Sequence, residues 1–256
     1  MNRLAVFFAL IIMLSSSRLI AQEQEDDEPI PPKRSTPTKI GGAGGFTSQW
    51  LFLDINPIND VLRSANAAEF SNGRLLLLGG QGYGYILFVK NLRVGGLGAS
   101  GSMTSRSLLG STRREVELHV GMGGVTVDYV FPIAPRLDIA VGTMIGGGGM
   151  SLTITRDNGS AKVWGDIWNE YGSLQPAQDY SRKLAGSFFI YQPSVNVEFA
   201  PLRWIGLRVG VSYLGMAGGS WELDDKYELY GVPGNISGKG WMLNTGIYAG
   251  LGAFNY

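Results

Sequence analysis

Arg114–Phe131 reads REVELHVGMGGVTVDYVF, and its alternation decides the fold. In the first half Val116, Leu118, Val120 and Met122 are apolar, with Glu115, Glu117, His119 and Gly121 between them. Past Gly123-Gly124 the parity reverses, and Val125, Val127, Tyr129 and Phe131 become the apolar set, separated in part by Thr126 and Asp128. A period of two is the period of a strand, whose successive side chains point to opposite faces. One phase slip at two glycines predicts a β-bulge there. The run is far longer than the roughly six residues of a common strand. Aliphatics on one face, with glycines and charges on the other, predict lipid outside and a polar interior.

The following stretch supports this reading. After the turn Pro132–Arg136, Leu137, Ile139, Val141, Thr143 and Ile145 share a face as far as Gly146–Gly149; beyond it the apolar set shifts to Met150, Leu152 and Ile154. In hairpin register the two slips fall at nearly the same height, as a real pair of strands requires. Later runs alternate too: Phe189–Phe199, with Pro193 inside it, Ile205–Tyr213 after the turn Ala200–Arg203, and Trp241–Tyr256. Before Thr112, Phe46–Ile55, Arg74–Lys90 and Leu92–Arg106 read as extended runs, the last two crowded with glycine around a turn at Asn91. Ile58–Phe70 has apolar residues at helical spacing and predicts a short helix outside the bilayer, at the barrel mouth or plugging the lumen.

This makes eight strands in an antiparallel, up-and-down transmembrane β-barrel over 41–256, with a helix in the first long connection. The first, fifth and seventh links are long, and the second, fourth and sixth are short turns, as in membrane meanders. The short third link, Ser107–Ser111, breaks the rule. A soluble sandwich whose strands change sheets at the glycines is the structural alternative.

Glycine, at 38 of 256 residues, is about twice its usual share of roughly 7%. Met1–Ala21 reads as a secretory signal: Arg3, an apolar Leu4–Leu14 and a polar approach to Ala21. Residues 22–40 are acidic and then Pro-rich, a composition that cannot bury a core. Removal of 1–21 takes away Arg3 and Arg18, leaving 19 basic residues against 21 acidic, which gives no electrostatic case for nucleic acid. With no cysteine and one histidine, thiolate and ordinary zinc centres are excluded, and no cofactor is expected.

The chain resembles the small outer-membrane β-barrel proteins of Gram-negative bacteria, the broad class of OmpA-like transmembrane domains. The resemblance is carried by the signal, the strands from Thr112, the turns PIAPR and APLR, and the ending Phe254-Asn255-Tyr256. It implies an outer-membrane location, lipid as partner, and Phe254 and Tyr256 as a signal to the barrel-insertion machinery. No particular family with a known activity is matched.

The inward faces collect Glu115, Glu117, His119, Asp128, Asp138, Glu198 and Arg208, expected to form an ion-pair and hydrogen-bond network filling a lumen too narrow to conduct. Arg208 is expected to pair with Glu198, Asp128 or Asp138. In the long loops Trp164, Trp168, Tyr171, Trp221, Asp224, Asp225 and Tyr230 are candidate contacts for a surface ligand or an envelope protein, since aromatic anchors supply contact area at low entropic cost. The run Gly96–Gly101 has dinucleotide-fingerprint spacing but no helix to follow it, and is set aside. No enzymatic activity is expected: His119 and Glu117 would need a serine within hydrogen-bond reach at the lipid boundary. A narrow channel and a lipid-modifying enzyme are the functional alternatives.

Overall fold

The computed structural model describes residues 41–173 and 179–252; the signal, the leader 22–40, Phe254 and Tyr256 lie outside them. The strands are β1 (Gly42–Leu53), β2 (Arg74–Tyr85), β3 (Leu92–Leu109), β4 (Thr112–Ala134), β5 (Leu137–Asp157), β6 (Tyr180–Leu202), β7 (Ile205–Leu223), β8 (Tyr227–Glu228) and β9 (Gly240–Leu251). All neighbouring pairs are antiparallel, and β9 bonds both β7 and β1, so all but the two-residue β8 close into an eight-stranded up-and-down barrel. Helix α1 (Asn56–Ser64) follows β1, shorter than the 58–70 span expected, and α2 (Trp164–Tyr171) follows β5.

There is no bulge at Gly123-Gly124. The β3–β4 and β4–β5 ladders run through those glycines without a shift, from Leu92↔Tyr129 to Leu109↔Thr112 and from Arg113↔Asp157 to Pro132↔Asp138. Val116, Leu118, Val120 and Met122 are buried, and so are Thr126, Asp128 and Val130; even positions point inward along the whole strand. What reverses at the glycines is the chemistry of the two faces. Below them the interior is polar and the outside apolar; above them the interior is apolar as far as Val116 and the outside carries Glu115, Glu117 and His119. β5 does the same without a shift, with Met150, Leu152 and Ile154 inside. The apolar face of upper β4 therefore meets a protein core, not lipid.

Away from the short turns, where the ladders also shift at Pro132–Ala134 and Phe199–Leu202, the slip among the described residues lies on β7. Gly218 and Gly219 together stand opposite the single Phe188 of β6, where the ladder jumps from Ser187↔Ser220 to Phe189↔Ala217. Both glycines have left-handed backbones, with φ of 65° and 129°, so the extra residue is taken up at little steric cost.

Below the reversal the outward side chains, among them Phe46, Val127, Ile145, Val197, Val209 and Ile247, are exposed and uncharged. On β6 this face runs from Phe189 to Phe199, roughly 25 Å of height at about 3.3 Å per residue and a tilt near 40°. That is the height of a lipid-facing band. Aromatic pairs edge it, Tyr213 with Trp241 (centroids 5.4 Å apart) above and Tyr129 with Phe131 (4.8 Å) below. Trp204 sits in the β6–β7 turn at the lower end.

Above the band only β3 to β7 continue. β2 last bonds β3 at Leu78↔Ser100, and β9 last bonds β7 at Leu214↔Gly240. The apolar inner face of this open extension is covered by α1, whose Ile58 and Leu62 join a core with Leu51, Leu118, Met150 and Leu214. Buried Asn59 fixes the link behind α1, donating from Nδ2 to the Phe70 carbonyl (3.1 Å) and accepting the Phe70 N–H (2.9 Å).

Candidate functional site

Two places gather unusual side chains: the polar lumen within the band and the mouth above it. In the lumen, Arg93 on β3 is the largest fully buried side chain. Its Nη1 and Nη2 donate to the two Glu198 oxygens at 2.8 and 2.5 Å, and its Nε donates to Asp128 Oδ2 at 3.0 Å. Arg208 Nη2 approaches Glu198 Oε1 at 2.6 Å, an ion-pair contact without hydrogen-bond geometry. Its Nη1 donates to Gln81 Oε1, which also accepts from Tyr248 Oη at 2.8 Å. Each guanidinium lies on an aromatic face, Arg93 4.1 Å from the Tyr83 centroid and Arg208 4.4 Å from that of Tyr248. Buried charges persist when paired and hydrogen-bonded in this way. Asp138, also buried, faces Glu198 across the β5–β6 ladder.

Inward glycines make room for these groups. A Cβ on Gly142 would lie 2.0 Å from Asp128 Oδ1, and one on Gly210 would lie 2.2 Å from Asn196 Oδ1. The space left beside Asp128, Arg208, Gln81 and Asn244 is about 20 Å³, room for about one water.

Of the lumen residues expected from sequence, Asp128, Asp138, Glu198 and Arg208 are inside. Glu115, Glu117 and His119 are not: they point outward, because even positions face in all along β4. Glu115 pairs with Arg106 Nε at 2.8 Å, which holds its carboxyl below the usual range. His119 is exposed, opposite Ser102 and Ser151 in the two ladders, and hydrogen-bonds neither. Arg93, Tyr83, Gln81 and Tyr248 join them in the network and are absent from the set expected from sequence. The available signal was a lone arginine at the foot of a glycine-rich strand, in register with Asp128.

The loop candidates separate. Trp164, Trp168 and Tyr171 form an aromatic ladder on α2, with successive centroids 5.8 and 6.2 Å apart, and no residue of the helix is buried. Asp224 and Asp225 form the turn after β7 with φ near 54° and 55°, tied to Arg182 (2.6 Å) and Lys183 (3.0 Å) of β6. Trp221 and Tyr230 instead line a cavity of about 250 Å³ between α1, the inner face of the sheet and segment 229–236. Trp221 stacks edge-on against Phe188 at 5.9 Å, and its carbonyl accepts the Leu229 N–H at 2.8 Å, which holds the segment over the opening.

A closed antiparallel barrel with an apolar, aromatic-edged outer band and a polar, packed interior is the form of a small transmembrane β-barrel. No family model matches the chain, and no curated protein matches it. Among solved structures it is similar to Ail, the attachment invasion locus protein of Yersinia pestis, at 10% identity over 83% of this chain and 99% of that one (TM-score 0.40). It is similar to a major outer membrane protein of Thermus thermophilus at 8% identity, 82% and 99% coverage and TM-score 0.42. The N-terminal β-barrel domain of Pseudomonas aeruginosa OprF matches at 9%, with 84% and 98% coverage and TM-score 0.32. At such identities the likeness says nothing of activity.

Proposed function

We propose that this protein is a non-enzymatic, sealed outer-membrane barrel that acts as a surface-binding module through its mouth. The observation that carries this reading is the contrast between its two ends. The lumen is packed around Arg93, Glu198 and Arg208, while the extension above the band keeps an open apolar cavity beneath α1. The short turns after β2, β4 and β6 and both described chain ends lie at the lower, periplasmic end in this reading, which leaves the mouth outside the cell. Lipid is the partner of the outer band. His119 sits at the outer surface with no hydrogen bond to serine or carboxylate among the described residues, and co-reconstituted phospholipid and lipid A should stay equally unmodified with wild type and with His119→Ala.

The test is reconstitution into planar bilayers. The expected result is heat-modifiable migration on gels, showing a folded barrel, with no steady ion conductance. A sizeable steady conductance makes the protein a channel instead.

A further inference from the structure

The geometry points to the mouth cavity as a binding site for a single-chain amphiphilic anion, an alkyl carboxylate whose chain lies under α1 and whose head meets Arg114 and Arg156. This rests on the surface-binding reading and names its ligand class. The cavity wall excludes polar ligands: among the lining side chains only Trp221 and Tyr230 carry a polar atom. A sugar or peptide backbone buried there would lose its hydrogen bonds to water without replacement. A dry apolar void, in contrast, takes up hydrocarbon, and one of about 150 Å³ suffices for a benzene ring.

The void does not end at the helix. A second cavity of about 170 Å³ lies beside it, and Val61, Leu62, Val116 and Ile154 line both. Arg114 and Arg156 border this second space. They are direct partners across the β4–β5 ladder, both on the inward face. Arg114 Nη1 donates to the Ala65 carbonyl at 2.9 Å, beside the end of α1, and its other donors have no partner among the described residues. Arg156 lies 4.7 Å over the Tyr180 ring. Glu115 also borders the space, but Arg106 holds its carboxylate. Apolar walls leading to paired guanidinium groups describe a chain with a negatively charged head.

The test uses the barrel in phosphatidylcholine nanodiscs, titrated with 12-bromododecanoate, whose bromine quenches tryptophan on contact. The expected result is a saturable quench above the linear background from lipid partitioning, reduced in Trp221→Phe. Affinity should rise about three- to fourfold per methylene from eight to twelve carbons. Arg114→Gln should weaken binding about tenfold, Arg114→Lys should restore most of it, and dodecyltrimethylammonium should compete poorly. Leu152→Trp, which fills the cavity, should remove the saturable component from a barrel that still shows heat-modifiable migration. The proposal is overturned if wild type shows no saturable quench, if the cationic amphiphile competes equally, or if Arg114→Gln binds as wild type does. Such failure in a barrel that shows no conductance removes the ligand class and leaves the sealed-barrel reading standing, whereas conductance removes that reading itself.

Discussion

Arg93 and Glu198, 105 residues apart in the chain, meet across the lumen through two charge-assisted hydrogen bonds. β3 and β6 are not neighbours in the sheet, so this contact ties opposite walls of the barrel to each other. Glu198 is shared with Arg208, and Arg93 with Asp128, so one carboxylate lost leaves two guanidinium groups short of a partner. Removing one member of a buried pair typically costs about 3–5 kcal/mol. Glu198→Ala should lower unfolding resistance in urea by about that amount. Arg93→Ala should add little on top of it, because coupled residues do not act additively. Independent effects in the double-mutant cycle would mean that the pair is not formed.

The reversal of faces on β4 separates three substitutions. Val127→Arg places a charge in the lipid band, at about 2–4 kcal/mol near the midplane, and should impair membrane assembly. Val120→Arg places it in the apolar core of the extension and should destabilise the fold without altering the band. His119→Arg, on an exposed surface, should stay within about 0.5 kcal/mol of wild type. Heat-modifiable migration and urea midpoints rank the three. Wild-type behaviour by Val120→Arg with failure of His119→Arg would reverse inside and outside.

Gly142→Ala and Gly210→Ala should each destabilise the barrel by about 1–3 kcal/mol, the usual range for overpacking. The added methyl would stand 2.4 Å from a backbone carbonyl, Val127 or Val195, and closer still to the Asp128 or Asn196 side-chain oxygen. Gly147→Ala, whose nearest neighbour would be 4.0 Å away, is the control and should unfold at the same urea concentration as wild type.

The β7–β8 turn should loosen in acid. The Lys183 backbone N–H, followed by Arg182, holds the Asp224 carboxyl below its ordinary value of 3.8. A depressed folded value means that the contribution is full above about 3.8 and is lost as pH falls through the lower folded value. Amide exchange around Asp224 should be flat from pH 8 to 5, once corrected for intrinsic rates, and lose protection only below about 4. Loss of protection between pH 8 and 5 would assign the transition to another group.

The strands, their order and the short turns were legible from Thr112 onward because one face of each alternates. Phe131 to Thr112 looked like a strand with a slip because hydropathy alone records which residues are apolar, not which solvent they meet. A reversal of chemistry at fixed parity and a bulge at fixed chemistry leave the same trace. Glu115, Glu117 and His119 were misplaced for that reason, while Glu198 and Arg208, in the band, were placed on the correct face. Arg93 escaped notice because β3 is rich in glycine and lacks a clean outer face. The mouth cavity depends on how α1 and segment 229–236 fold over the sheet, a tertiary relation with no periodic signal.

The unbroken ladder through Gly123-Gly124 also has a mechanical meaning. From there to Thr112 is about a dozen residues, roughly 30 Å of rise at common strand spacing and tilt. Headgroups add only some 5–7 Å beyond the hydrocarbon on each side. β4 and β5 thus serve as masts, stepped in the bilayer and carrying the mouth well clear of the lipid surface. With no break in pairing between deck and masthead, whatever docks at the top is held at a fixed height and bearing, and the membrane feels the load directly.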